Sequence, residues 1–236
     1  MQAADEVRLH VAALDDWAPP AVHACDFLSP EELAAADAFV FSKDRVRYIG
    51  ARVFLRTVLA AYLGIGPDAV RFARGANGKP VLRDGSAAAD IRFNLSHAKG
   101  CAVCAVVRGR EVGVDVEQLR PLRDAALIAE RVLSPGELEV YDALPPEAKH
   151  AALLRGWTRK EAYLKATGDG ITRRMRDVEV VLDPALPAAL LAVGGNRHEA
   201  IRWNMYETTP ATGFVCTVVV DASYRASTLQ RSPNPG

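Results

Sequence analysis

Val112-Gly113-Val114-Asp115-Val116-Glu117 is the stretch on which the fold turns. Apolar residues alternate there with two carboxylates. On a strand, Asp115 and Glu117 point to one face, while Val114 and Val116 point to the other and can anchor in a core. Such a strand suits a hard divalent cation. Mg²⁺ is usually held by one or two carboxylates together with phosphates and water. Taken alone, the same pattern also describes a half-exposed edge strand with two solvated acids. The rest of the chain has to separate the two.

The chain has 236 residues with zero formal net charge, half of them hydrophobic and a quarter charged. That is ordinary for a soluble globular protein and ample for a core. No bulk basic footprint points to nucleic acid. The opening residues carry Asp5 and Glu6 and no long apolar run, unlike a secretory signal. No stretch approaches the ~20 apolar residues that span a bilayer. A cytoplasmic protein without membrane or nucleic-acid partners is expected. Cys101-Ala102-Val103-Cys104 matches C-x-x-C, but it lies in an apolar, strand-like run. Residues three apart on a strand face opposite ways, so buried, inert thiols are expected.

Working outward, Cys101 to Val107 and Val112 to Val116 flank the turn Arg108-Gly109-Arg110 and read as a hairpin. Upstream, Ile91 to Leu95 reads as a strand that gives way to a polar loop at Ser96-His97. Arg74-Gly75-Ala76-Asn77-Gly78-Lys79-Pro80 offers backbone N–H groups between cations, which suits a phosphate or a plain hairpin turn. Asp44 to Leu63 has helical apolar spacing and stops at Gly64, with Arg45, Arg52 and Arg56 on one face. Ser29-Pro30-Glu31-Glu32 and Ser134-Pro135-Gly136-Glu137 are the same helix-start signal. The first predicts a helix to about Phe39. In the second half, helices are predicted over Asp124 to Leu133, from Ser134 to the break at Pro145-Pro146, and over Ala148 to Thr167. Strands follow at Val178 to Leu182, Ala200 to Tyr206 and Gly213 to Val220. The shared order of helices and strands predicts a duplicated α+β unit, with halves at 1–110 and 111–225 and a disordered tail at 226–236.

Trp157, Glu161 and Lys165 are spaced four apart on the third of those helices. Glu161 and Lys165 are in the favoured order for a local ion pair. Trp157 on the same face argues that this face is covered, and covered charges need partners.

Gly113-Val114-Asp115-Val116-Glu117, followed by Trp157-Thr158-Arg159-Lys160-Glu161-Ala162-Tyr163-Leu164-Lys165, resembles the paired signature motifs of 4'-phosphopantetheinyl transferases. Phe93-Asn94-Leu95-Ser96-His97 and Gly78-Lys79-Pro80 match two further patterns of that family. The resemblance covers about Ser29 to about Gly170 and favours the larger, monomeric, surfactin-type branch. It implies an α+β fold built by pseudo-twofold duplication, with antiparallel sheets and packed helices. By resemblance, Asp115, Glu117 and Glu161 hold Mg²⁺ or Mn²⁺, and Lys165 lies near the diphosphate of coenzyme A. Ser96 and His97 lie at its phosphates, Arg74, Asn77, Gly78 and Lys79 in the loop around its adenine and phosphates, Asn94 among its binding residues, and Arg52 at the nucleotide end. One departure is Glu32 and Ala35, where some relatives carry basic residues. It leaves Arg52, Lys79 and His97 to supply more of the charge that holds the 3'-phosphate.

Coenzyme A carries about four negative charges near neutral pH, so a net-neutral chain must answer with local cations. The resemblance implies attack by a carrier-protein serine on the β-phosphate, with 3',5'-ADP leaving. Glu161 is the candidate base, directly or through a metal-bound water, and Lys165 would neutralise the leaving oxygen. The carrier, typically an acidic helical bundle, is expected to dock near Arg120 to Arg131 and at Leu133. A metal-dependent nucleotide phosphohydrolase and a non-catalytic coenzyme-A-binding regulator of a carrier are the alternatives.

Overall fold

The computed structural model describes residues 6–15, 25–75, 78–83, 90–169, 174–222 and 228–232. Asn77 lies outside them. Eleven strands and six α-helices are formed among the described residues. In chain order they are β1 (Glu6–Ala13), α1 (Pro30–Asp37), α2 (Ser42–Leu63), β2 (Phe72–Arg74), β3 (Pro80–Leu82), β4 (Ile91–Ala98), β5 (Cys101–Arg108) and β6 (Val112–Gln118). Then come α3 (Ala125–Val132), α4 (Pro135–Ala143), α5 (Pro146–Thr167), β7 (Val178–Val180), β8 (Leu190–Val193), α6 (Arg197–Ile201), β9 (Trp203–Thr208), β10 (Phe214–Asp221) and β11 (Thr228–Arg231).

The strands form two main sheets, ordered β11-β1-β5-β4 and β6-β10-β9, with β2-β3 and β7-β8 as separate hairpins. Pairing is antiparallel except between β1 and β11. Alternation along each strand sets the layers. Ala102, Cys104 and Val106 of β5 pack under Phe54, Leu55, Val58 and Leu59 of α2. Val103, Ala105 and Val107 point the other way, onto Val112, Val114 and Val116 of β6 and Cys216, Val218 and Val220 of β10. Beyond the second sheet, Val219 packs with Ala162, Tyr163 and Ala166 of α5. The result is a helix–sheet–sheet–helix stack.

The duplication is visible in this order. Each half runs strand, helices, hairpin, strand, strand, and each three-strand unit, β1-β5-β4 or β6-β10-β9, has its first strand beside its last. The correspondence extends to single residues. Both Ser-Pro helix starts form capping boxes, through Ser29 with Glu32 and Ser134 with Glu137. Both long helices have 22 residues and end on a left-handed glycine, Gly64 or Gly168. Eight residues before that glycine stands a buried cation on the capping glutamate. Arg56 Nε donates to Glu32 at 2.8 Å, and Lys160 Nζ donates to Glu137 at 2.5 Å.

Four sequence expectations are corrected, the first being that Ser96 and His97, expected in a polar loop, lie within β4 and pair with β5. Strands β5 and β6 do not form a hairpin: β5 pairs with β1 and β4, while β6 pairs with β10. Both strands carry an apolar face towards the other, so the chain at Gly109 steps between sheets and packs them face to face. The expected disordered tail is replaced at 228–231 by β11, which lies parallel to β1. Ala200 and Ile201, expected in a strand, close α6 before β9 begins.

Candidate active site

Strand β6 is the edge of its sheet and β4 is the edge of the other. They meet where α5 crosses over β6. That crossing depends on Gly113: a Cβ there would lie 2.1 Å from the Ala162 carbonyl oxygen and 2.4 Å from the Ala166 nitrogen. Only glycine lets the two backbones approach this closely. The crossing delivers Lys165 to Asp115. Lys165 Nζ donates to Asp115 Oδ1 at 2.6 Å and to Ser96 Oγ at 3.1 Å, and Ser96 Oγ donates to the same Oδ1 at 2.9 Å. The sequence spacing allowed a local pair with Glu161, yet the ammonium spends its hydrogen bonds on the strands.

Asp115 is 5% exposed, and its Oδ2 is buried with no partner. Burial pushes its pKa up, and Lys165 and Ser96 oppose that. Glu161, half-buried one turn before Lys165, also has a raised pKa. Burial is the main cause, Lys165 opposes it, and the Asp115 and Glu117 charges add to it. The three acids therefore share one electrostatic neighbourhood. Glu117 is partly exposed and accepts from Arg120 at 3.1 Å. Among the described residues, no three His, Cys, Asp or Glu side chains converge closely enough to hold a metal as they stand. The donor set nonetheless fits a hard cation. It consists of carboxylates that repel one another, one with a buried oxygen that accepts no hydrogen bond among the described residues.

The other sequence-assigned residues divide. Ser96 joins Asp115 directly. His97 sits exposed at the rim, and its pKa is lowered by partial burial, then by Lys165 and Arg47. Asn94 Oδ1 accepts from the Val114 N–H at 2.9 Å, so it holds β4 to β6. Arg52, Arg74 and Gly78 line a cleft of about 900 Å³ on the first half. Ser96, His97, Asp115, Glu161 and Lys165 do not line it. Arg52 Nε donates to Glu32 at 2.6 Å, and its guanidinium lies 4.9 Å from the Phe72 ring centre. Glu32 thus shares its single charge between Arg52 and Arg56, and the cleft, which Arg71, Arg74 and Arg83 also line, keeps an excess of cations. Lys79 Nζ turns instead to Glu111 and to two backbone carbonyls.

Sequence reasoning missed Arg47. It projects from α2 into a small pocket of about 320 Å³ with Lys43, Val46, Leu14 and Asp15. Asp15 accepts both arms of its guanidinium, at 2.7 and 2.6 Å. The charges of Arg47 and Lys165 both reach His97 and lower its pKa. The periodicity of α2 placed Arg52 and Arg56 together but gave no signal for Arg47. Its partner Asp15 comes from the segment just after β1, against Gly100 of the β4–β5 turn.

The chain matches two family models. They are 4'-phosphopantetheinyl transferase, N-terminal, over residues 15–108, and the 4'-phosphopantetheinyl transferase superfamily over residues 111–219. It is 40% identical over 216 residues to the 4'-phosphopantetheinyl transferase HetI of Nostoc sp., covering 92% of this chain and 88% of that one. It is 36% identical over 146 residues to the 4'-phosphopantetheinyl transferase psf-1 of Bacillus pumilus, covering 62% of this chain and 60% of the relative. A solved holo-(acyl-carrier-protein) synthase from Bacillus anthracis in complex with CoA (3',5'-ADP) aligns at a TM-score of 0.37 and 22% identity. That alignment covers 47% of this chain and 94% of the other.

Proposed function

The chain belongs to the 4'-phosphopantetheinyl transferase superfamily and is a transferase of that type, and from that premise we propose how its own residues share the work. The substrate is coenzyme A and the acceptor is a serine of an apo carrier protein. The serine oxygen forms a bond to the β-phosphorus, and the bond from that phosphorus to the bridging oxygen breaks. Phosphopantetheine passes to the serine and 3',5'-ADP leaves.

Glu161 takes the serine proton. Burial and its acidic neighbours make it a stronger base than a solvated carboxylate. Lys165, already fixed by Asp115 and Ser96, places a cation where the diphosphate must lie and offsets charge on the leaving oxygen. Asp115, Glu117 and Glu161 would hold Mg²⁺, which when bound supplies positive charge to the diphosphate oxygens. Ser96 orients Asp115 and Lys165 together. Arg47, as a cation, and His97, as an uncharged hydrogen-bond donor, extend the site towards the nucleotide. There the Arg47 fork suits a phosphate monoester once Asp15 releases it. Arg52, Arg74 and Gly78 border the neighbouring cleft and take the adenosine end.

The carrier must present its serine beside Glu161. We place its docking surface on α3 and the segment before it, where Arg120, Arg123 and Arg131 flank Leu127, which is 55% exposed. Leu133 is fully buried and is withdrawn from that surface. Both halves of the fold come from one chain, which favours a monomer. Among the described residues, no helix is long and apolar enough to cross a membrane.

One observation supports this assignment above the others: a buried carboxylate shared by Ser96 and Lys165, with its second oxygen unpartnered. The test is intact-mass analysis of apo carrier proteins incubated with coenzyme A and Mg²⁺. A carrier that gains phosphopantetheine, and loses that gain with Asp115→Ala or Glu161→Ala, supports it. Full transfer by either variant overturns the residue assignment, and release of free phosphate without carrier modification marks a hydrolase.

A further inference from the structure

Lys79 is the residue whose place in the fold departs furthest from its sequence assignment. Its side chain is 15% exposed. Its Nζ donates to Glu111 Oε2 at 3.0 Å, to the Val112 carbonyl at 3.1 Å and to the Ala166 carbonyl at 3.2 Å. An ammonium has three protons, and all three are used. A phosphate oxygen could reach Lys79 only by displacing one of these acceptors.

The acceptors are the feet of the site. Val112 opens β6, three residues before Asp115. Ala166 follows Lys165 in the last turn of α5, where carbonyls lack intrahelical partners and the helix end favours a cation. Glu111 also accepts from Arg92 Nε at 3.2 Å. Three residues of one face of β4 then form successive rungs towards the second half. Arg92 meets Glu111, beside Lys79. Asn94 accepts from the Val114 N–H at 2.9 Å. Ser96 meets Asp115 and Lys165 at 2.9 and 3.1 Å. The lowest rung alone ties the β2–β3 loop, β4, β6 and α5 together.

We propose that Lys79 is a positioning residue, a strut that sets α5 on β6 and so holds Lys165 and Glu161 against Asp115, rather than a ligand of the nucleotide phosphates. This rests on Asp115, Glu161 and Lys165 forming the reacting end. The strut acts through the Ala166 and Val112 carbonyls. Loosening it displaces the reacting groups but leaves the nucleotide row of Arg47 and His97 intact. A small misplacement of a catalytic group is costly in turnover.

The test pairs carrier-modification kinetics with calorimetric binding of 3',5'-ADP. For Lys79→Met, kcat should fall about tenfold, while KM for coenzyme A and the 3',5'-ADP Kd stay within about twofold. Glu111→Gln should shift kcat the same way by less, and the double variant should be no worse than Lys79→Met, because both changes cut one strut. Lys79→Arg should recover most of the turnover. The proposal is overturned if Lys79→Met weakens 3',5'-ADP about tenfold with kcat unchanged, or if the Glu111 effect adds in full. Should Lys79→Met fail to fold, Glu111→Gln and Lys79→Arg carry the same kcat-against-KM comparison. A wild-type chain that modifies no carrier overturns the reaction assignment instead, while unchanged 3',5'-ADP affinity in Lys79→Met would still favour the strut.

Discussion

Replacing Lys165 with Met removes, among the described residues, the cation hydrogen-bonded to a carboxylate that is 5% exposed. Breaking a buried ion pair from one side costs about 3–5 kcal/mol, because the remaining charge is stranded. Two features reduce that here. The Lys165 side chain is itself 30% exposed, and Ser96 still donates to Asp115, which is worth about 1 kcal/mol. A loss of about 2 kcal/mol remains. For a chain of this size it lowers Tm by about 4–8 °C. The cost depends on pH. Burial already raises the Asp115 pKa against the pull of Lys165, and removing Lys165 raises it further. The native state then binds that proton more tightly than the unfolded chain does. Lys165→Met should therefore be least destabilised in acid, with the deficit opening as pH rises through the folded-state pKa. Adding Asp115→Asn removes the stranded charge and should return most of the lost stability. Melting curves in metal-free buffer at pH 5 and pH 8 read all three outcomes. A Lys165→Met protein as stable as wild type at pH 8, or a double variant less stable than either single one, would refute the reasoning.

Glu161→Gln should abolish transfer yet melt no lower than wild type at pH 8, because it removes a half-buried carboxylate that Asp115 and Glu117 repel. Any gain should vanish in acid, where Glu161 is protonated in the native state; equal destabilisation at both pH values would contradict this. Gly113→Ala puts a methyl group 2.1 Å from the Ala162 carbonyl oxygen, so α5 must lift from β6. Urea titration should show a loss at or above the ~3 kcal/mol upper end of ordinary overpacking, with the Lys165–Asp115 pair broken. Asp15→Asn frees the Arg47 fork and should tighten coenzyme A about threefold at low salt, the scale of one exposed ion pair. Calorimetry with coenzyme A lacking the 3'-phosphate should show no such gain if Arg47 takes that group.

Local signals carried most of the elements, and non-local ones did not. The alternation at 112–117 told which face of β6 is buried and which bears acids, and Val114 and Val116 do sit between the sheets. Caps and stops placed the helices, because Ser29, Ser134, Gly64 and Gly168 act within one turn. Strand partners were another matter. The short turn at Gly109 looked like a hairpin, yet both flanking strands are apolar on the face that meets the other. Stacking the sheets buries more than pairing the edges would. Glu32, Lys79 and Arg47 follow the same rule. Their spacing along the chain says that a charge is present, and only the packed fold says which opposite charge it meets. Arg52 and Lys79 were read as free for a ligand because their partners, Glu32 and Glu111, lie 20 and 32 residues away.

Why only the second half bears acids at the crossing follows from the same duplication. Strands β5 and β10 are each eight residues long, and at the fourth position Cys104 pairs with His10 of β1 while Thr217 pairs with Asp115 of β6. Both partners face the long helix of their own half. On α5 the group that answers is Lys165, three residues before Gly168. On α2 it is Tyr62, two residues before Gly64, whose hydroxyl lies 3.0 Å from His10 Nε2. Burial raises the Tyr62 pKa to about 12, so it stays a neutral phenol at any working pH. One position in the fold therefore holds an anion against a cation in one half and a phenol against an imidazole in the other. Under the proposed assignment, the acids that would hold a divalent ion also repel a phosphate, so positive charge has to come from elsewhere. In that assignment it comes from Arg47 of α2, with His97 of β4 as an uncharged hydrogen-bond donor whose pKa burial, Lys165 and Arg47 lower. The acids and the proposed phosphate-binding groups of a single site would thus be divided between the two halves, which is a reason for both halves to remain in one chain.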